Sequence, residues 1–352
     1  MSSKIKYYLY GKSTSISVFK YRSYDSEISK YFEPASNASD ADVIIASYVH
    51  DIEAHIPRFN SCKAKNNAKA VILSEEPLWD HSWSTNIQVH EGQHFVENKK
   101  RTVRADFELL NHSTSDIYEY EHIPHFLTTN DLYIKNYIYN LKNFSKISPS
   151  TLYNIKKYDV TGIFSRRFVN EPNNFAFSNE KQGKCLNTVK NDLADFLMDN
   201  DNSLNCDFFG YNNSQLDGLT DDTIYDGHTF HRKKIEWCNT NSRFLFALEN
   251  TIQKNYITEK VFDAICSSSV PIYFHDDEKI KFKGINLHEF QAASINDFYD
   301  FCLDSISSID FVEYIEHNFQ LARSLFENWE DKVAHERKTR VNKIFNYISA
   351  IL

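Results

Sequence analysis

Residues 246–274 read FALENTIQKNYITEKVFDAICSSSVPIYF, and Glu249, Asn250, Tyr256, Glu259 and Lys260 crowd the interval between its two apolar ends. A strand through RFLFAL would deliver Glu249 and Asn250 to the carboxyl edge of a parallel sheet, where open α/β sheets bind their ligands. Thr258 then reads as the N-cap of a helix carrying Glu259 and Lys260 in its first turn. Free N–H groups at such a terminus suit a diphosphate, and Lys260 adds a full charge beside them. A carboxylate next to that site can accept from ribose hydroxyls. A capped helix with a first-turn Glu and an exposed Lys would explain Glu259 alone, but not five polar groups between two buried strands.

Three other stretches compete for chemistry. In VILSEEPLW, Glu75 and Glu76 end an apolar run, as carboxylates facing a cleft or as an ordinary acidic loop. Trp79 and Trp83 follow, and their rings would either stack on a sugar or pack in the protein. HEGQH places His90, Glu91 and His94 in the HExxH order of zinc hydrolases, which requires a helix to bring both imidazoles to one face. Gly92 and the extended look of STNIQV argue instead for a loop. DAD, residues 40–42, has the form of a metal–diphosphate motif but precedes its strand rather than following it, so a turn explains it.

The elements that must position these residues are legible in outline. KIKYYLY, ADVIIASY and AKAVILSEEP read as strands, the last fully buried at Ala70–Leu73, with helix-length spacers between them. That pattern predicts a parallel sheet flanked by helices. EYEHIPHFLTTNDL reads as a loop, and a second strand set starts at KKYDVTGIFS. A helix is expected over about 184–198, then a short strand in NCDFFGYN and a polar insertion over 212–230. Strands RFLFAL and VPIYF follow, with a helical tail from 310 whose stripe is Ile315, Phe319, Ala322, Phe326, Trp329 and Val333. The reading is a first α/β domain over 1–150, a second over 151–330 and a tail over 331–352. The tail is basic in its middle and apolar at Ile344, Phe345 and Ile348, and either packs back on the first domain or rests on anionic lipid.

Composition narrows the function classes. With 352 residues, 41% hydrophobic and 15% aromatic, the chain can build two cores. A net charge of −9 and a pI near 5.9 argue against nucleic-acid binding. Eight glycines include neither a GxGxxG nor a GxxxxGK[ST] pattern, so a nucleotide would be held by side chains and helix ends. Six scattered cysteines without a CxxC pair suit free thiols. No leader-like start or long apolar run is read, so a soluble, cytoplasmic protein is expected.

The stretch ENTIQKNYITEKVFDA resembles the signature of the α1,3/α1,4-fucosyltransferases, glycosyltransferase family 10, roughly E-N-[ST]-x-x-x-x-Y-[VI]-T-E-K-x-x-x-A, with VP following at 270–271. DFFGYN and IPHFLTTNDL are similar to further family segments. The resemblance implies a GT-B architecture, two facing Rossmann-like domains, and inverting transfer of L-fucose from GDP-fucose. Donor contacts would fall to Asn250, Tyr256, Glu259 and Lys260, with Glu249 touching the donor or ordering the turn. SEEP is similar to the family's Glu-x-Pro segment, and this makes Glu75 the general base and Glu76 the second choice. An Arg usually reaches the diphosphate from the region after the first strand of the second domain. Here Arg166, Arg167 and Lys184 compete for that place, with Arg167 favoured for its forked guanidinium.

No metal is obligatory on this reading, and a divalent cation would at most stimulate. The acceptor would be an oligosaccharide or glycolipid containing GlcNAc or glucose, linked α1,3 or α1,4, in bacterial lipopolysaccharide or surface-glycan synthesis at the inner face of the cytoplasmic membrane. Where the family usually has Gly after VPIY, Phe274 and His275 stand here, which leaves another nucleotide sugar as an alternative donor.

Overall fold

Short apolar runs become the centres of two sheets. In the first, β1 (Ile5–Tyr10), β2 (Phe32–Pro34), β3 (Val43–Ala46), β4 (Lys69–Leu73) and β7 (Arg104–Leu110) run parallel in the order β2-β1-β3-β4-β7. The hairpin of β5 (Gln88–His90) and β6 (Gln93–Glu97) continues it antiparallel beyond β7. The structure, a computed structural model, describes residues 3–73, 75–76, 87–90, 93–97, 102–112, 114–164, 184–185, 187–199, 204–209, 227–273, 288–289, 304 and 308–352.

Side-chain alternation sorts the central strands between two cores, as a sheet covered on both faces requires. Val43, Ile45, Val71, Leu73 and Leu110 belong to one, and Ile44, Ala46, Ala70, Ile72 and Leu109 to the other. Helices α2 (Val49–Glu53) and α3 (Ile56–Asn66) cover the second core with Val49, Ile52, Ile56 and Phe59. Helix α1 (Asp25–Tyr31) supplies Ile28 to the first.

Helices α4 (His125–Thr128), α5 (Asp131–Phe144) and α6 (Pro149–Ile155) lead to the second sheet. Its strands β8 (Tyr158–Ile163), β10 (Cys206–Phe209), β11 (Ser242–Phe246), β13 (Val270–Tyr273) and β14 (His288–Glu289) are all parallel, in the order β10-β8-β11-β13-β14. A two-residue ladder pairs β9 (Lys184–Cys185) with β12 (Thr251–Ile252). Helices α7 (Asn187–Asp199), α8 (Gly227–Asn241), α9 (Lys260–Cys266) and α10 (Phe311–Phe326) accompany this sheet, and α11 (Trp329–Ile351) ends the chain. Two α/β units of Rossmann-like layout are the plan expected of a GT-B protein.

Helix α11 is a strut between the two cores. Its first turns place Trp329 and Val333 in the core of the second sheet, while Val341, Ile344 and Ile348 lie in a core of the first. The apolar positions offered to lipid are therefore occupied: Ile344 and Ile348 are fully buried, and Phe345 stacks on Tyr31. Several of its cations are likewise engaged, Arg337 with Asp131 and the Thr128 carbonyl, and Lys343 with Asp116. The tail stripe is buried as predicted, but it is broken at Asn328, which takes a left-handed φ of 52° between α10 and α11.

Two decoys resolve. His90 and His94 lie on paired antiparallel strands: Val89 pairs with His94 and His90 with Gln93, so the two histidines occupy adjacent rungs and point to opposite faces. The helical face that an HExxH zinc site needs is not there, and a zinc hydrolase is set aside. In DAD, Asp42 accepts the Lys6 N–H at 2.8 Å and Asp40 ends a turn capped by Asn37. The segment 119–132, read as a loop, carries α4, and the helix expected over 184–198 begins at Asn187 after β9.

Candidate active site

Strand β11 ends in a buried carboxylate. Glu249 is 1% exposed, and its Oε1 accepts the Thr258 N–H at 2.7 Å. Its Oε2 accepts from Thr258 Oγ1 at 2.8 Å and from Lys260 Nζ at 3.1 Å. Lys260 Nζ also donates to Thr258 Oγ1 at 2.8 Å. A loop that leaves a strand and returns as a helix is thus closed on one side chain, so Glu249 orders the turn. Thr258 is not the helix cap: its hydroxyl serves Glu249, and α9 starts at Lys260 without a side-chain cap. Because α9 has fewer than two turns, positive charge at this edge comes mainly from lysine side chains.

Lys260 keeps its proton. Burial alone would lower its pKa, but the carboxylates of Glu249 and Glu259 raise it above the ordinary lysine value. Burial would raise Glu259, and Lys260 with Lys234 outweighs it and holds the carboxyl ionised. A second cation enters from α7. Lys190 is 3% exposed, and its Nζ donates to Asn250 Oδ1 at 2.8 Å. Asn250, Glu259, Lys260 and Lys190 thus line one edge of the sheet, as two cations, one carboxylate and one amide. Such a set can bind a diphosphate and hydroxyls together.

Below this edge a buried cluster fixes α9. Asp263 is fully buried and pairs with Lys234 at 2.6 Å and His231 at 2.9 Å, and it accepts from the Tyr137 hydroxyl at 2.7 Å. The Tyr137 hydroxyl lies 3.2 Å from the Glu259 carbonyl as well, which ties the start of α9 to α5.

The first unit presents Glu75 and Glu76 at the end of β4, and their environments differ. Glu75 is 3% exposed: Oε1 accepts from Arg340 Nη2 at 2.8 Å, and Oε2 lies 2.9 Å from His125 Nε2. Burial would raise its pKa, yet Arg340 and His125 outweigh it and hold the carboxyl down to about 2. Burial keeps His125 below the ordinary imidazole range, so at neutral pH the charge opposing Glu75 is that of Arg340. Glu75 is therefore a weak base turned inward, which departs from the sequence expectation. Glu76 is half-buried, and its charge is felt both at Lys260 and at Tyr21 of the first unit.

The two units touch at the signature loop. Gln253 Nε2 donates to Asn111 Oδ1 at 2.7 Å, and Lys254 pairs with Glu119 at 2.8 Å. Tyr256, 5% exposed, meets the His112 ring edge-on at 5.2 Å, and His112 Nε2 lies 3.3 Å from the Glu75 carbonyl.

The structure therefore brings Glu249, Asn250, Tyr256, Glu259 and Lys260 together, with Glu75 and Glu76 on the first unit. The backbone of Lys184 pairs with Ile252 inside the signature loop. Trp79, Trp83, Arg166, Arg167, Glu91 and His275 lie outside the described residues. Lys190 and Arg340 were not singled out from sequence. A signal existed for Lys190: it shares the buried face of α7 with Leu193, Ala194 and Leu197, where a lysine needs a partner. Arg340 offered none, because its partner lies 265 residues away.

Residues 188–347 match the family model described as Glycosyltransferase family 10 (fucosyltransferase) C-term. A search of curated proteins finds no match. Among solved structures, an alpha1,3-fucosyltransferase is 15% identical with a TM-score of 0.40, over 93% of this chain and 83% of that one. An alpha1,3-fucosyltransferase with GDP gives 15% and 0.42, over 97% and 92%. One with GDP-fucose gives 14% and 0.41, over 95% and 92%.

Proposed function

We propose that the chain is a fucosyltransferase of glycosyltransferase family 10, the family whose C-terminal model residues 188–347 match, and that it moves L-fucose from GDP-fucose to a hydroxyl of a GlcNAc- or glucose-containing glycan, forming an α1,3 or α1,4 linkage with inversion. The observation that carries this reading is the loop closed on Glu249, which holds Lys260 beside Glu259, while the adjacent Asn250 accepts from Lys190.

In this mechanism the acceptor oxygen attacks the anomeric carbon as the bond from that carbon to the β-phosphate oxygen breaks. Lys260 and Lys190 stand against the diphosphate and take up the charge that develops on the departing GDP. Glu259 and Asn250 orient the sugar and ribose hydroxyls. Of the two carboxylates that end β4, we assign the acceptor proton to Glu76. Its charge reaches Lys260 and it is only half-buried, whereas Glu75 is locked to Arg340. The acceptor belongs to the bacterial surface glycans in this proposal.

The test is transfer and donor hydrolysis with GDP-fucose in Lys260→Ala and Lys190→Ala. Removing one preorganised donor to developing charge is expected to cost about 10²–10³ in kcat. Parent-level activity in Lys260→Ala would sink the donor-site assignment, and parent-level activity in Lys190→Ala would remove Lys190 alone.

A further inference from the structure

The chain passes between the two sheets' cores along two neighbouring paths. On one, Ile117 and Tyr118 lie in a core of the first sheet, and Ile123 and Leu127 in that of the second. On the other, α11 runs from Trp329 and Val333 in the second core to Val341 and Ile344 in the first. The paths are pinned together midway. Glu336, 5% exposed, accepts the backbone N–H groups of Glu121 at 3.0 Å, His122 at 2.6 Å and Ile123 at 3.4 Å on a single oxygen.

Beside this pin stand Glu121 and His122 on one path and His335 on the other. Glu121 Oε2 lies 3.3 Å from His335 Nε2, and Oε1 lies 3.8 Å from His122 Nε2. The imidazole centroids are 5.6 Å apart, and one ligand atom from each of the three residues falls within 4.8 Å of the others. In a tetrahedral zinc site, ligand atoms about 2.0–2.1 Å from the metal lie about 3.3 Å from one another. Side-chain rotation alone can make up the difference, because all three side chains are exposed, at 67%, 40% and 50% for Glu121, His122 and His335. The backbones that carry them do not have to move, since Glu336 already fixes their separation.

We propose that Glu121, His122 and His335 form a binding site for a divalent transition metal of the zinc class, which would clamp the two interdomain connections to each other. Two imidazoles and one carboxylate favour zinc over magnesium or calcium, which prefer all-oxygen sets. Three protein ligands leave one position for water. The ligands do not overlap the donor edge, so the inference stands whether or not the donor reading does.

A bound metal would add a second tie between α11 and residues 121–122 and restrain motion of one unit on the other. It would also raise Tm, because an ion that binds only the native state stabilises it. Binding must weaken in acid, since the imidazoles bind metal only when unprotonated.

The experiment is calorimetric titration of the full chain, carrying no polyhistidine tag and stripped by chelator, with zinc alone at neutral pH. One equivalent is expected to bind, with a zinc-dependent rise in Tm. Both effects are expected to disappear in His122→Ala and in His335→Ala at zinc concentrations that saturate the parent. The side chains are exposed, so metal-free Tm should be the same in parent and variants. Failure of the parent to bind an equivalent, binding without a rise in Tm, or equal affinity in the double alanine variant would each overturn the proposal.

Discussion

Glu249 and Glu75 occupy the same station in the two sheets and are used in opposite ways. Each follows a buried parallel strand, each is almost fully buried, and each is held by a cation and further hydrogen-bonding groups. Glu249 draws its partners from residues 9 and 11 positions ahead, so one short loop closes on itself. Glu75 takes its arginine from 265 positions away, so the last helix closes on the first sheet. The first arrangement shapes a local binding edge. The second joins distant parts of the chain, and in doing so buries Glu75 and leaves Glu76 half-exposed.

The sharpest way to break this comparison is to remove each carboxylate's basicity in turn. Glu76→Gln is expected to lower kcat by about 10²–10⁴ with little change in stability, the range for loss of a general base. Glu75→Gln is expected to lower Tm first, and its folded fraction to retain measurable transfer. Kinetics of both variants, normalised to folded protein, decide the matter. The reverse pattern would return the base role to Glu75 and require it to leave Arg340 during turnover.

This contrast also explains what the sequence could reveal. Every group of the donor loop lies within ENTIQKNYITEK, so spacing along the chain is nearly spacing in space, and the loop is legible. The parallel sheets were legible too, because strands such as VIIA and AVIL are apolar throughout, as burial on both faces demands. Neither condition holds for Glu75. Nothing near SEEP announces that Arg340 and His125 will flank it, and a carboxylate at a strand edge looks the same whether it faces solvent or an arginine. HEGQH was a decoy for a related reason: its spacing has meaning only on a helix, and the pairing of β5 with β6 puts its histidines on opposite faces. The apolar end of α11 was ambiguous because burial against lipid and against a sheet select the same residues.

The next effect in size is on stability. Arg340→Met leaves Glu75 buried without its counter-charge and is expected to cost about 3–5 kcal/mol in denaturant unfolding. Lys260→Met also removes the counter-charge of a buried carboxylate, but Glu249 keeps two hydrogen bonds from Thr258, so the variant should cost less stability while losing most transfer activity. Equal losses of stability would mean that the two carboxylates are not differently used.

Acid should expose the same asymmetry. The folded-state pKa of Glu75 is about 2, below the ordinary 4.5, so the folded state binds fewer protons than the unfolded chain between these values. Its contribution is fully present above about pH 4.5 and is lost as the pH falls toward 2. His125, also depressed, adds a loss that begins as the pH drops through the ordinary imidazole range near 6.5. Unfolding free energy measured from pH 7 downward should therefore fall less steeply in Arg340→Met than in the parent. A parallel pH dependence in the two proteins would contradict the assignment of Glu75 to Arg340.

The smallest effect concerns the bridge that brings the two regions together. Lys254 and Glu119 pair across the units at 2.8 Å, but both side chains are nearly half exposed, at 48% and 44%. Solvent screens such a pair, and Lys254→Ala is expected to cost no more than about 1 kcal/mol, diminishing further as salt is added. The neighbouring contact differs because Gln253 and Asn111 are buried where they meet at 2.7 Å. Gln253→Ala should cost about 1–3 kcal/mol and show little response to salt, since it strips a partner from a buried amide. Urea unfolding of both variants at low and high salt separates the two contributions. If Lys254→Ala proves the more damaging, the units are held by exposed charge, and the buried chemistry at the tip of the signature loop is incidental to their union.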